Sequence, residues 1–310
     1  MPKTIQLTVT DHDRDTVQRT YVYPVVSRRA GGISVGINLH PNNACNWRCI
    51  YCQVPNLKRG AAPAIDLKQL EAELTALLTD ILHGDFMQTR VPEDARRLND
   101  IALSGNGEPT SAKEFPDVVQ LIGRVMKRFD LLGKIKLVLI TNGSLIAREA
   151  VQAGLKRMAK LNGEVWYKLD SATRDGMTRT NNTRQSLKKT AEHLTLAASL
   201  CPTWVQTCMF SLDGAPPSES EQQAYLEFLQ HLTQGEVKLE GVLLYGIARK
   251  SYQAEAPRLT PLSPLWLRTF SYKIKQLGLP VRVNPKLPQF LVHSASGSLR
   301  PVFAAFFKLL

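Results

Sequence analysis

Three cysteines lie within eight residues of one another, at Cys45, Cys49 and Cys52. Because they share one short loop, their thiolates could bind a single metal centre without ligands from distant sequence. Clusters of four irons usually take four thiolates, so three would leave one iron free to bind a substrate or cofactor. The loop therefore predicts a 4Fe-4S cluster with one open iron.

A closed zinc site is the alternative for this loop, with His40 as a fourth ligand. Zinc sites usually pair their ligands as two Cys-x-x-Cys hooks separated by a longer stretch. Here the gaps are unequal and no second hook follows, so the spacing favours the cluster. The remaining cysteines, Cys201 and Cys208, fit buried core thiols better than ligands of a second cluster.

Short apolar or β-branched runs alternate with longer segments of helical period from Ile33 onward, which is typical of βα units around a parallel sheet. Six such units are counted. We predict an α/β fold, a partial (β/α)6 TIM-type barrel with a short N-terminal β extension. Residues 1–32 form that hairpin extension, residues 33–285 the core barrel and residues 286–310 a C-terminal tail.

Three helix boundaries are marked by capping residues. Asp66 and Gln69 are typical of a capping box, and Gly84 is typical of a C-terminal stop, which predicts a helix over about 66–83. Ser263 followed by Pro264 predicts the start of the last helix.

Residues with useful chemistry follow three of the predicted strands, where the active-site loops of α/β barrels lie. Glycines let the backbone approach a ligand closely, carboxylates suit a cationic amine or a hydroxyl group, and hydroxyl and amide groups suit ribose. The candidates are Gly105, Gly107, Glu108, Thr141, Asn142 and Asp170. Each also has a plain interpretation as part of a turn or a helix cap. Lys168 shares a strand face with Asp170 and could pair with it or serve as a Schiff-base amine.

The cysteine spacing, with the aromatic Tyr51 immediately before the last cysteine, resembles the signature of the radical S-adenosylmethionine (SAM) superfamily. Residues 103–110 resemble the glycine-rich GGE segment of that family. The residues Thr141, Asn142 and Asp170 fall where the family also contacts its cofactor.

The resemblance implies a 4Fe-4S cluster and SAM as cofactors. It further implies reductive cleavage of SAM to a 5′-deoxyadenosyl radical, which abstracts hydrogen from an unidentified substrate, in an iron–sulfur enzyme of oxidoreductase type. Tyr51 and the six strand-end candidates would contact SAM, with Glu108 at the methionine amine. A reducing electron donor such as flavodoxin or ferredoxin would be a partner.

Within the superfamily, the motifs look most like the branch that contains tRNA wyosine-base synthases. Those synthases bind a second cluster through cysteines upstream of the first motif, and no cysteine precedes Cys45 here. Net charge of +12 agrees with RNA as a partner. Two alternatives remain: an activase that makes a glycyl radical on a partner protein, and a non-catalytic zinc-binding RNA module.

Composition excludes several other classes. Hydrophobic residues make up 44% and charged residues 21% of the 310 residues, which is ordinary globular usage. The N-terminus lacks the apolar core of a secretory signal, and no apolar run is long enough to span a bilayer. We therefore expect a cytoplasmic protein without a membrane partner.

Overall fold

The computed structural model describes Leu7, residues 19–27 and residues 31–284. The helices are α1 (Leu67–His83), α2 (Phe86–Arg90), α3 (Phe115–Arg128), α4 (Glu149–Ala159), α5 (Arg174–Asn181), α6 (Leu187–Leu200), α7 (Glu219–Gln234) and α8 (Pro264–Lys275). The strands are β1 (Val22–Ser27), β2 (Gly32–Asn38), β3 (Ala44–Cys45), β4 (Lys58–Arg59), β5 (Leu98–Ser104), β6 (Lys136–Thr141), β7 (Gly163–Lys168), β8 (Thr203–Leu212), β9 (Gly241–Gly246), β10 (Leu259–Pro261) and β11 (Val281–Asn284). The predicted tail lies outside these residues. None of the described helices has the length and apolar composition needed to cross a membrane.

The main sheet runs in the order β1-β2-β5-β6-β7-β8-β9-β11, with β10 paired to β8. From β2 to β11 every neighbouring pair is parallel, and helices connect most of these strands. The sheet curls into an incomplete barrel. This confirms the predicted α/β fold and partial TIM-type barrel.

The outer face of the sheet packs on the helices. The sequence period of α1 predicts an apolar stripe of Leu67, Leu70, Leu74, Leu77, Leu78 and Ile81, and all of these are buried except Leu67, which is half-buried. The side chain of Asp66 caps this helix by accepting hydrogen bonds from two backbone N–H groups, whereas Gln69 bonds Thr20 and Glu73, so the reciprocal half of the predicted capping box is absent. Ser263 caps α8 as predicted.

The inner face of the barrel is divided along its axis. An apolar cluster fills one part and consists of Ala102, Val138, Trp166, Trp204 and Leu243. Trp204 precedes Gln206 and Cys208 along β8, so this cluster lies on the amino-end side of the interior. The carboxyl ends of the strands therefore enclose a cavity whose floor is apolar.

Strand β1 extends the barrel wall. It pairs antiparallel with β2 and places Tyr23 opposite Gly36. A Cβ atom on Gly36 would lie 2.3 Å from the Tyr23 ring, so only glycine lets this ring cross β2. The Tyr23 hydroxyl then reaches Ser104 Oγ at 2.9 Å, at the end of β5.

Substituting Gly36 by alanine should destabilise the fold by about 1–3 kcal/mol, because the methyl group overlaps a ring that is tied down at its hydroxyl. Urea denaturation of the full chain measures the loss. Combining Gly36→Ala with Tyr23→Ala should cost less than the sum of the two single changes. Additive costs would contradict the overlap.

Candidate functional site

The thiols of Cys45, Cys49 and Cys52 all line one cavity of about 300 Å³ at the carboxyl ends of the strands. The same cavity is lined by Tyr51, Gly105, Gly107, Glu108, Thr141 and Asn142. The structure thus places every predicted site residue except Asp170 in the lining of this one cavity. All three cysteines are free of disulfide bonds and half-buried.

Residues 105–108 lie directly against the cysteine loop, which is the segment over residues 40–52 that carries the three cysteines. A Cβ atom on Gly107 would lie 2.1 Å from the carbonyl oxygen of Ala44 and 2.4 Å from the His40 ring. Glycine at this position therefore allows the two loops to touch. His40 itself is fully buried, with Nε2 2.9 Å from Ser111 Oγ, and burial lowers its pKa to about 4.

Glu108 ties together the ends of β5 and β6. Its Oε1 accepts hydrogen bonds from Thr110 N, Thr110 Oγ1 and Thr141 Oγ1, and its Oε2 accepts one from Asn142 N at 2.6 Å. Burial raises the pKa of the carboxyl, and these hydrogen bonds oppose the rise. Both oxygens of Glu108 are therefore engaged with protein donors.

Asn142 connects this pair of strand ends to the cysteine loop. Its Nδ2 donates to Asn46 Oδ1 at 2.8 Å, and its Oδ1 accepts from Ser144 Oγ at 2.7 Å. Asn46 in turn donates to Ser144 Oγ at 2.8 Å. The three side chains form a closed hydrogen-bonded ring between the loop and β6.

Asp170 is not among the residues that line the cavity; it lies behind Tyr51. Its Oδ2 accepts from the Tyr51 hydroxyl at 2.5 Å and from Asn181 Nδ2 at 2.6 Å, and its Oδ1 accepts from Cys208 N at 2.9 Å. Lys168 Nζ lies 3.8 Å away, which confirms that these two residues pair. The geometry makes Asp170 a support for its neighbours.

Lys168 also donates to the Tyr51 hydroxyl at 2.6 Å. Burial by itself would lower the pKa of its ammonium group, but the charge of Asp170 raises that pKa above its ordinary value. Lys168 therefore stays protonated at neutral pH, which does not suit a Schiff-base nucleophile.

Asn181, at the end of α5, was missed by the sequence analysis. Its Nδ2 lies 3.3 Å from Cys49 Sγ and also donates to Asp170. Since a carboxylate only accepts hydrogen bonds, Asp170 fixes which side of the Asn181 amide is the NH2 group. An N–H donor therefore points at one of the three thiols.

The carboxyl end of α5 also holds the backbone of the loop. Ile50 N donates to the carbonyl of Thr180 at 2.9 Å, and Arg48 N donates to that of Asn181 at 3.3 Å. These carbonyls lack partners within the helix, so the loop satisfies them.

Residues 251–255 also hold the cysteine loop in place. Ser251 Oγ donates to the carbonyl of Ile50 at 2.8 Å, and the carboxylate of Glu255 forms a two-bond ion pair with Arg48. Tyr252 N donates to the carbonyl of Cys52 at 2.9 Å. The loop is thus held from two sides.

Burial raises the pKa of the Cys45 thiol to about 11 and that of Cys49 to about 12. Both are therefore protonated in the metal-free chain, and a bound metal must displace these protons. Among residues 31–284 and the other described positions, no three His, Cys, Asp or Glu side chains are grouped tightly enough to hold one metal ion.

Two solved structures share this architecture. TYW1 with a lysine-pyruvate adduct bound matches with a TM-score of 0.53 and 14% identity, over 78% of this chain and 73% of that chain. A radical SAM methyltransferase from Sphaerobacter thermophilus matches with a TM-score of 0.50 and 15% identity, over 81% of this chain and 66% of that chain. The chain has the fold of radical SAM proteins. At these identities the likeness concerns the fold alone.

Curated proteins match a shorter part of the chain, and no model of a known protein family matches it. GTPase Obg of Brachyspira hyodysenteriae is 31% identical over 135 residues, or 43% of this chain and 17% of that protein. A UPF0026 protein of Helicobacter pylori strain J99 is 32% identical over 134 residues, or 43% of this chain and 38% of that protein. The chain thus spans less than two fifths of either relative, and neither name transfers to it.

Proposed function

We propose that the chain is a radical SAM enzyme whose 4Fe-4S cluster is held by Cys45, Cys49 and Cys52. The observation that carries this proposal is the lining of one cavity by three thiols at the mouth of a barrel with the radical SAM fold. Thiolates are the ligands that such clusters take, and the cavity beside them leaves room for a cofactor on the fourth iron. The donor set therefore fits the cluster.

When bound, cluster and SAM would supply the reductive cleavage that yields a 5′-deoxyadenosyl radical able to abstract hydrogen. The chain's own part is to bind and orient SAM. Asn106 lines the cavity, and its Oδ1 has no hydrogen-bond partner among the described residues. We place the methionine ammonium group at this oxygen, with Gly105 and Gly107 beside it, in place of the expected contact with Glu108, because both oxygens of Glu108 already accept hydrogen bonds from the protein.

Glu108, Thr141 and Asn142 would shape the same site through the hydrogen bonds that join β5 and β6. The Tyr51 ring is fixed at its hydroxyl by Lys168 and Asp170, and it packs 5.5 Å from the Phe210 ring. A fixed aromatic face next to Cys52 suits the adenine of SAM. Asp170 would act on SAM through Tyr51.

Anaerobic reconstitution with iron and sulfide, followed by SAM and dithionite, tests the proposed function. We expect a brown protein that releases methionine and 5′-deoxyadenosine. A protein that takes up one zinc and no iron–sulfur cluster would support the zinc-binding module instead.

The substrate and the electron donor are further proposals. Net charge of +12 favours RNA, so we propose tRNA ahead of a glycyl-radical partner protein. Flavodoxin or ferredoxin is the proposed reductant. Supplying tRNA and protein fractions separately to the reconstituted enzyme, and following transfer of substrate deuterium into 5′-deoxyadenosine, distinguishes the two substrate classes.

Replacing Asn181 by leucine should make the midpoint reduction potential of the cluster more negative. An N–H group that donates to a ligating sulfur stabilises the more negative, reduced cluster, and leucine removes that donor at similar size. An EPR-monitored redox titration of the reconstituted chain measures the shift.

Gln185→Leu is a matched control, because this amide donates to Thr190 Oγ1 at 3.0 Å and bonds Tyr167 rather than a thiol. Its potential should equal that of the wild type. An unchanged potential in Asn181→Leu would show that the Asn181 contact does not act on the cluster.

A further inference from the structure

The cavity extends from the cysteine loop to a second set of residues deeper in the barrel. Gln206 on β8 belongs to this set, together with Trp166 and Lys168 on β7. Gln206 is the register partner of Lys168, and both side chains point into the barrel. Along β8 the inward residues alternate with outward ones such as Thr207, whose hydroxyl bonds Tyr225 at 2.6 Å.

Gln206 is 1% exposed, and its carboxamide oxygen has no hydrogen-bond partner among the described residues. Buried polar side chains are nearly always hydrogen-bonded, and a buried acceptor that lacks a donor costs free energy. The nearest inward residue on β9, its register partner Leu243, is apolar. An apolar residue in place of Gln206 would avoid this cost, so packing alone does not explain the carboxamide.

The cavity residues around the carboxamide oxygen of Gln206 limit which ligand groups could donate a hydrogen bond to it. Trp166, Ile140 and Ala102 give the cavity an apolar floor, and Tyr23 of the added strand β1 forms part of its wall. The whole cavity is about 300 Å³, and SAM would take up the part beside the cysteine loop, so the space left at Gln206 is small. It suits a compact apolar group that carries an N–H or O–H donor.

We propose that Gln206 is a specificity residue, and that the substrate is a compact molecule, or part of a larger one, with an N–H or O–H donor beside its apolar body. The donor bonds the carboxamide oxygen of Gln206, and the body rests against Trp166. This inference rests on the proposed function, because it makes the cavity the place where hydrogen is abstracted.

Benzamide and acetophenone provide a matched pair of probes. They share their shape and carbonyl group, but the NH2 donor of benzamide is a methyl group in acetophenone. Acetophenone is the more apolar of the two, so an apolar cavity without a specific acceptor would prefer it. Ligand-observed NMR on the full chain measures both affinities.

We expect the wild type to bind benzamide at least fivefold more tightly than acetophenone. Gln206→Met keeps the length of the side chain and removes the acceptor, so it should lose this preference; Gln206→Glu keeps an acceptor and should retain it. Equal binding of the two probes by the wild type would overturn the proposal, as would a preference that survives in Gln206→Met. The wild-type comparison holds even where a variant fails to fold.

Probe binding needs neither cluster nor SAM, so failure of the proposed function can be distinguished from failure of the inference about Gln206. A chain that prefers benzamide but does not cleave SAM after reconstitution would overturn the proposed function and with it the role of Gln206 toward a substrate. A chain that cleaves SAM but binds both probes equally would overturn only the inference about Gln206.

Discussion

Replacing Cys49 by alanine should reduce the cleavage of SAM below detection and leave the reconstituted chain with little iron. Cys49 is one of three thiols that line the cavity, and two thiolates cannot hold a four-iron cluster that already lacks a fourth protein ligand. Iron and sulfide assays and mass spectrometry of 5′-deoxyadenosine measure the two losses. Cys45→Ala and Cys52→Ala should behave alike.

Cys201→Ala provides the matched control. Cys201 is 2% exposed, follows α6 and does not line the cavity, so its removal should leave iron content and cleavage near wild type. Far-UV circular dichroism of both variants checks that they remain folded. Full iron and sulfide in Cys49→Ala would mean that the ligands are other residues.

Much of the barrel could be predicted from the sequence, because its strands and helices are long enough to show their periods. The stripe of α1 and its Asp66 cap are local features, and the structure confirms both. The alternation along β8 likewise places Trp204, Gln206 and Cys208 on one face. Local patterns therefore specified the elements and, through the strand ends, most of the cavity wall.

Helix α5 could not be predicted in the same way. Its eight residues include a glycine, two threonines and Met177 as their one large buried apolar side chain, so it lacks an apolar stripe. It is stabilised by tertiary contacts, among them the loop amides that bond its last carbonyls. Because α5 carries Asn181, the donor to Cys49 was missed together with the helix.

The predicted role of Asp170 depended on its place after β7, and sequence position does not tell which way a side chain turns. In the structure it turns away from the cavity wall and accepts hydrogen bonds from residues far apart in sequence. The contacts of Tyr23 and Ser251 are also long-range: Tyr23 bonds Ser104 across β2, and Ser251 bonds the carbonyl of Ile50. Such pairings follow from the folded barrel and have no local signal in the sequence.

Replacing Asp170 by alanine should lower the free energy of unfolding by about 3–5 kcal/mol, which is the cost of removing one partner from a buried ion pair. The Asp170 side chain is fully buried, and that of Lys168 is 15% exposed. Alanine leaves the Lys168 ammonium group without its carboxylate, and it leaves Tyr51, Asn181 and the amide of Cys208 without their acceptor. Urea denaturation of the metal-free full chain measures the loss.

Asp213→Ala is the control, because Asp213 makes a two-bond ion pair with Arg258 on the exposed surface. Exposed ion pairs contribute little to stability, so this change should leave the free energy of unfolding nearly unchanged. Neutralising both buried partners, as Lys168→Met with Asp170→Asn, should cost less than the sum of the single changes, since no buried charge is left unpaired. If Asp170→Ala were no more destabilising than Asp213→Ala, the carboxylate would not be what holds Tyr51 and Asn181 in place. The support of the cysteine loop would then have to come from its other contacts, among them the backbone bonds to α5, the ring of Asn46, Asn142 and Ser144, and residues 251–255.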